Sequence, residues 1–450
     1  MKLFEKNILI TAVILLLSDL LNAQDNVAIT TSFKFDFGSN KVQPGYIAIT
    51  PQTTYTPQQA FGFDFGSAVV SRNYDEKDAL RDDYVTSDKP FYFSVRLPEG
   101  NYNVRVILGD KKGESKTTIK AENRRLMVEK IETAKGKFAT VEFTVHLRDS
   151  VIRGTGNRVK LKPREFDYKH WDDKLTIEFN NQAPKVCALE IIPASDEVTV
   201  FLAGNSTVVD QADEPWAAWG QMIPAFFQPG KIAIANYAES GETLRAFKNE
   251  RRLEKVWSMA KPGDYLFIEF AHNDQKPGGN HLDPFTTYKA ALKDWIIEAR
   301  KRKLIPVLIT STHRRNFDSS GHIINTLGDY PEAMRQTAKE ENVALIDLNA
   351  MSKILYEAWG VEKSVKGFVH YPAHSFPGQD SALKDNTHFS TYGAYELAKC
   401  VVIGIKQNIP SLAKFLKQNF PVFDPAHPDP FEKWSLPPSV FIGSIKPDGN

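Results

Sequence analysis

A serine, a histidine and an aspartate in this chain have the types and local spacing that nucleophilic chemistry needs. Ser206 closes the stretch Thr199-Val200-Phe201-Leu202-Ala203-Gly204-Asn205-Ser206, an apolar run that passes into a small polar turn. Far downstream, Asp385-Asn386-Thr387-His388 puts a carboxylate three residues before an imidazole. A carboxylate so placed can hold the ring in one tautomer, leaving the other nitrogen to take a proton from a hydroxyl that attacks an ester. The oxyanion that then develops needs donors. Gly241, in Asn236-Tyr237-Ala238-Glu239-Ser240-Gly241, offers a backbone N–H with no Cβ in the way. Asn273, in Phe270-Ala271-His272-Asn273-Asp274, offers a side-chain amide, and the Ser206 N–H is the third donor. A lone Gly-x-Ser is weak, but four such blocks in this order at strand ends are hard to obtain by accident. Position 208 is Val208, so the second glycine of the Gly-x-Ser-x-Gly elbow is missing and the usual α/β-hydrolase arrangement does not apply. Asn205-Ser206-Thr207 also reads as a glycosylation sequon, but a glycan there would bury the proposed nucleophile, so that reading is discarded.

The elements that must carry these residues come in two kinds. From about residue 26 to 193 apolar positions alternate with period two, as in Phe91, Phe93, Val95, Leu97 and again in Tyr102, Val104, Val106, Leu108. Short strands punctuated by turns such as Pro98-Glu99-Gly100-Asn101 predict an antiparallel β-sandwich. The pentapeptide Phe-Asp-Phe-Gly-Ser, at Phe35 to Ser39 and again at Phe63 to Ser67, is expected to mark two similar strand ends rather than a repeat. At Ala194-Ser195-Asp196-Glu197 the pattern changes. Strands expected at 198–202, 232–234, 265–270, 305–310 and 343–347 alternate with helical stretches, including 285–302 and 392–406. That alternation predicts right-handed crossovers and a parallel sheet covered on both faces, with ligands at its C-terminal edge.

Composition narrows the function classes. A 450-residue chain with 42% hydrophobic and 25% charged residues is an ordinary globular sequence. Its formal net charge of +1, without a long basic run, gives no reason to expect nucleic acid as partner. Lys2 and Lys6, an apolar run over 8–17 and Leu21-Asn22-Ala23 before Gln24 predict a signal peptide at 1–23. The run is too short to serve as a membrane anchor, and no Cys follows it to carry a lipid. The expectation is therefore export, to the periplasm or outside of a bacterium, with no anchor after cleavage. Cys187 and Cys400 are expected as buried apolar residues. With no Cys-x-x-Cys or His-Glu-x-x-His, no metal site and no cofactor are expected. The Pro- and aromatic-rich segment 420–450 should lie extended on the preceding domain.

The blocks Leu202-Ala203-Gly204-Asn205-Ser206-Thr207-Val208, Trp219-Gly220, Ala238 to Gly241, Glu269 to Asp274 and Asp385 to Ala394 resemble the SGNH (GDSL-type) hydrolases, and within them the rhamnogalacturonan acetylesterases. The resemblance implies an α/β three-layer, flavodoxin-like hydrolase domain with a parallel sheet over 196–419. Before it, at 24–195, the all-β sandwich resembles galactose-binding-like modules, whose ligand cannot be carried over from strand pattern. It also implies Ser206 as nucleophile, His388 as base, Asp385 as its orienting acid, and Ser206, Gly241 and Asn273 as the oxyanion hole. The implied partner is an acetylated pectic polysaccharide or oligosaccharide. Two positions depart from the family pattern: Asn205 replaces the usual Asp, and Ala271 replaces the usual Gly. Arg314 and Arg315 could pair with galacturonate carboxylates, or form a solvated basic loop. His272, His313 and His374 are further pocket candidates. Tyr168 and Trp171 suit either a sugar-stacking platform or a core. Acetylated xylan, another acetylated glycan or a lipid as substrate, and an inactive carbohydrate-binding protein, stay open as alternatives.

Overall fold

Period-two alternation in the first half closes into two facing sheets. The computed structural model describes residues 31–38, 41–74, 77–418, 422–440 and 446–447; the proposed signal segment 1–23 lies outside them. The strands are β1 (Phe33–Phe37), β2 (Ile47–Ile49), β3 (Phe61–Asp64), β4 (Val70–Asn73), β5 (Asp83–Thr86), β6 (Phe91–Arg96), β7 (Gly100–Asp110), β8 (Ser115–Ala121), β9 (Arg125–Thr133), β10 (Lys137–Leu147), β11 (Lys174–Asn180) and β12 (Lys185–Pro193). One sheet is ordered β10-β7-β12-β1-β2, with β5 joining β12 and β4 joining β5; the other is β3-β6-β11-β8-β9. Between them Phe93 meets Phe35, Phe37 and Phe63 edge-on, at centroid separations of 5.1, 5.0 and 5.5 Å. Such pairs add to the large apolar area these rings bury. Pairing is antiparallel except between β1 and β2, where Phe35 registers with Ile47 in parallel. Both pentapeptide copies do sit at strand ends, but they differ. The first buries Phe35 and Phe37, whereas the second buries Phe63 and turns Phe65 outward at φ +52° with 48% of its surface exposed.

Beyond residue 195 the parallel sheet consists of β13 (Val198–Gly204), β14 (Ile232–Asn236), β15 (Tyr265–Glu269), β16 (Ile305–Ile309) and β17 (Ala344–Ile346), in the order β14-β13-β15-β16-β17. This is the flavodoxin-like order. Alternate strand residues point to opposite layers. Val200, Leu202, Phe267, Val307 and Ile309 share a core with α1 (Trp219–Met222), α6 (Leu348–Lys363) and α7 (Thr391–Asn408). Phe201, Ala203, Leu266, Ile268 and Leu308 share another with α2 (Leu244–Asn249), α3 (Arg252–Met259), α4 (Lys289–Lys301) and α5 (Tyr330–Glu340). The sheet is thus covered on both faces, which explains its nearly continuous apolar strands. α4 is preceded by one π turn, Pro284–Tyr288, and α7 is capped by Ser390, whose Oγ accepts from Gly393 N at 3.2 Å.

One expectation about placement needs correcting. Asp385 and His388 do not follow a parallel strand; they lie within β19 (Leu383–Phe389), paired antiparallel with β18 (Phe368–Tyr371). The described chain from Ser32 onward forms one compact unit. Arg125, the first residue of β9, reaches Asp210 at 2.8 Å, with both side chains buried. The C-terminal segment packs on both halves rather than on the sheet domain alone. Trp434 lies 4.3 Å from the Tyr395 ring on α7, while Ser439 donates to Glu178 on β11 and Lys120 on β8 donates to Pro437 O. Cys187 and Cys400 are buried and unpaired.

Candidate active site

The sheet order reverses between β14-β13 and β13-β15, and at such a switch point the chain leaves a crevice beyond the strand ends. Three loops enter it. After β13 the chain turns tightly, with Asn205 O accepting from Val208 N and Val209 N at 3.0 and 3.1 Å. Gly204 is required in this turn, since a Cβ there would stand 2.5 Å from Val208 Cγ2. Asn205 Oδ1 accepts from Thr207 N (3.0 Å) and lies 2.9 Å from Thr207 Oγ1, so the amide at 205 serves as an acceptor without the charge of an Asp. Gly241 follows β14 at φ +83°, a conformation costly for any residue with a Cβ. Asn273 follows β15.

Ser206 and His388, 182 positions apart, meet here: Ser206 Oγ lies 2.8 Å from His388 Nε2. His388 Nδ1 lies 2.7 Å from Asp385 Oδ2, and Asp385 Oδ1 accepts from the N–H groups of Thr387 (2.9 Å) and His388 (3.0 Å). Burial alone would raise the Asp385 pKa. The hydrogen bond with His388, with those two N–H donors, instead holds it well below the carboxylate range. An ionised Asp385 fixes Nδ1 as the protonated nitrogen and leaves Nε2 to accept from the serine. Trp216 Nε1 stands 3.4 Å from Asp385 Oδ2, and Gln211 Nε2 donates to Ser206 O at 2.9 Å.

The donor loops are tied to one another. Asn273 Nδ2 donates to Glu242 O at 3.0 Å, leaving its second hydrogen for a ligand, and Asp274 Oδ1 accepts from Leu244 N at 2.9 Å. Glu239 N donates to Gly204 O at 3.2 Å. Among the described residues no protein acceptor meets the N–H of Ser206 or Gly241. The loop bearing Gly241 is also gripped from the segment that joins β10 to β11 of the sandwich. Lys162 Nζ contacts Glu242 Oε1 (2.5 Å) and Ser240 O (2.6 Å), and Arg164 Nη2 contacts Glu239 Oε1 (2.8 Å) and Ser240 O (2.9 Å).

The other candidates separate. His272 is buried beside the triad; burial, with the nearby charge of Arg314, keeps its ring neutral, and neither ring nitrogen finds a partner among the described residues. His313 is also held neutral by burial, at about 4. The two guanidinium groups diverge. Arg314 bonds Thr326 Oγ1 (3.1 Å) and the His272 carbonyl, while Arg315 bonds Ser364 Oγ (2.9 Å) and Asn386 Oδ1 (3.4 Å). His374 stands 77% exposed on the β18–β19 loop, with Asp380 as its nearest acid, apart from the triad. Trp171 belongs to the core: its Nε1 donates to Glu165 at 2.9 Å and Arg148 covers its ring at 4.3 Å. Tyr168 lines a cleft.

Sequence reasoning missed Glu269, Trp216, Gln211, Lys162 and Arg164 as supports. Only Glu269 carries a signal, an acid ending an apolar strand just before the Asn273 turn. Its Oε2 accepts from Trp219 Nε1 at 2.6 Å and its Oε1 lies 2.9 Å from Thr207 Oγ1. Burial raises its pKa to about 7 against the hydrogen bonds it receives from Trp219 and Thr207. The Thr207 hydroxyl has one proton and two facing acceptors, Asn205 Oδ1 and Glu269 Oε1. A protonated Glu269 lets both contacts be hydrogen bonds.

Residues 202–394 match the GDSL-like Lipase/Acylhydrolase family, and residues 33–153 match the galactose-binding domain-like family of beta-agarase/YXIM esterase-like proteins. Rhamnogalacturonan acetylesterase RhgT of Bacillus subtilis is 43% identical over 212 residues, 47% of this chain and 90% of RhgT. The chain belongs to the GDSL-type lipase/acylhydrolase family. This hydrolase carries the additional N-terminal galactose-binding-like domain. The uncharacterized esterase YxiM of B. subtilis aligns over 341 residues at 25% identity, 74% of this chain and 83% of YxiM. The YxiM crystal structure covers 84% of this chain and 98% of its own at 24% identity, with a TM-score of 0.44. By its family and its likeness to RhgT, the hydrolase is a carboxylic-ester hydrolase. No helix among its described residues is long and apolar enough to cross a membrane.

Proposed function

We propose that this hydrolase is an exported carbohydrate esterase that removes O-acetyl groups from pectic rhamnogalacturonan through an acyl-serine intermediate. The observation that carries the reading is the continuous hydrogen-bonded chain Ser206 Oγ–His388–Asp385, at 2.8 and 2.7 Å, within the segment 202–394 that matches the acylhydrolase family. Ser206 Oγ bonds to the acetyl carbonyl carbon as His388 Nε2 takes its proton. The oxyanion is received by the N–H groups of Ser206 and Gly241 and by Asn273 Nδ2. The carbon–oxygen bond to the sugar then breaks, and the departing sugar oxygen takes the proton from His388. Water attacks the acetyl-serine, passing its proton to the same ring, and Ser206 leaves with that proton as acetate is freed. One side-chain donor of the Asn273 kind typically supplies ~10²–10³ in turnover. Release of acetate from acetylated rhamnogalacturonan by the wild-type chain, abolished in Ser206→Ala, is the expected result. Equal release by both proteins removes the mechanism, and preference for acetylated xylan removes the pectin assignment.

Export is the reading of the basic start and apolar run in residues 1–23, and N-terminal sequencing of the mature protein is expected to begin at Gln24.

A further inference from the structure

A cleft of about 240 Å³ opens beside the triad, where the sandwich half faces the parallel-sheet half. Its sheet-side wall includes Ser240, the neighbour of Gly241; Trp216, whose indole nitrogen approaches Asp385; and Gln211, bonded to the Ser206 carbonyl. The opposite wall comes from the N-terminal half and includes Phe65, Arg164, Tyr168 and Lys169. Arg164 is committed to Glu239 and Ser240. Lys169 is different. Its ammonium sits over the rings of Phe65 and Tyr92, 5.1 and 5.3 Å from their centroids, and among the described residues no carboxylate lies within ion-pairing distance of it. Asp167 and Asp213 line the same cleft without closing that gap. Burial lowers the Lys169 pKa against the more distant charges of Glu178, Glu122 and Asp213, while the two ring faces supply the direct contacts of its ammonium. Beside it Phe65 keeps nearly half of its surface open.

We propose that Lys169 and Phe65 form a uronate subsite, in which the carboxylate of a sugar neighbouring the acetylated residue meets the Lys169 ammonium while the sugar's apolar face lies on Phe65. The proposal rests on the esterase reading and deepens it. It moves acid recognition from Arg314 and Arg315, both bonded to protein oxygens, to the appended sandwich half. An ammonium suits the task as a point charge that can follow a carboxylate on a flexible chain.

Calorimetric titration without turnover tests the subsite, using full-length Ser206→Ala and its Lys169→Met double variant with trigalacturonate and with neutral xylotriose. Trigalacturonate is expected to bind Ser206→Ala and to bind the double variant roughly tenfold or more weakly, the weight of one charge-assisted contact. Its binding should weaken with added salt. A Ser206→Ala/Lys169→Arg chain is expected to recover most of the affinity, which excludes simple misfolding. No trigalacturonate binding by Ser206→Ala, binding unchanged by Lys169→Met, or equal weakening for both oligosaccharides overturns the subsite. Acetate release by the wild-type chain tests the esterase reading separately, so failure of either is visible without the other.

Discussion

At the scale of single residues, the carboxyl groups near Ser206 divide into two roles set by their surroundings. Asp385, fed by two backbone N–H groups and the His388 ring, is ionised and orients the base. Asp385→Asn keeps the shape but favours the wrong imidazole tautomer, so kcat on p-nitrophenyl acetate is expected to fall ~10³–10⁴-fold with little change in melting temperature. Glu269 lies beneath the nucleophile turn with its pKa raised to about 7. Its folded form therefore keeps a proton through a range in which the unfolded chain has already lost it. The unfolded state binds fewer protons there, so this group's contribution to stability declines as pH rises from about 4.5 to about 7 and is flat above. Glu269→Gln removes that decline: denaturation of the two proteins at about pH 5 and pH 8 should show the variant gaining on wild type at the higher pH. A gap that is constant with pH would mean that Glu269 is ionised throughout. Asn205 fits this arrangement. A second carboxyl at 205 would face the Glu269–Thr207 pair, whereas the amide oxygen accepts from Thr207 without adding charge.

At the scale of elements, the β18–β19 ribbon must deliver His388 to a strand end that it does not share. Arg315 anchors it, with its backbone N donating to Asn386 O at 2.8 Å while the guanidinium joins Asn386, Ser364 and Val361. Arg315→Ala frees the ribbon between Asp385 and His388, and kcat is expected to fall about 10- to 100-fold with KM little moved, as small misplacements of a catalytic group do. Arg315→Lys should not restore it, because an ammonium cannot make the same fork of contacts. A raised KM at unchanged kcat would instead make Arg315 a substrate ligand. The strand–helix alternation was legible because buried parallel strands are apolar runs bounded by turns, and the strand ends moved by no more than two residues. The ribbon was not legible: β18 has four residues, and its partner was recognisable only by the Asp-x-x-His it carries.

At the scale of the whole molecule, the halves are joined by buried charge. Arg125 on β9 donates to Asp210, which also accepts from Asn236, and Arg252 on α3 pairs with Glu165 in the segment between β10 and β11. Arg125→Ala leaves Asp210 buried without its cation, and a loss of ~3–5 kcal/mol in denaturant unfolding is expected. Because these bonds cross between the halves, wild type should unfold in one transition by both tryptophan fluorescence and circular dichroism. Two separated transitions would show that the halves are energetically independent.

Local chemistry alone determined which residues could attack, accept a proton and receive an oxyanion. Hydrophobic period alone separated a sandwich from a parallel sheet, since side-chain spacing follows directly from backbone geometry. The divergence of Arg314 from Arg315, the outward turn of Phe65, the burial of Trp171 and the placement of Lys169 in a cleft were decided only by tertiary structure. Each depends on which distant backbone and side-chain groups arrive beside it, and residue type carries no record of partners brought from the other half of the chain.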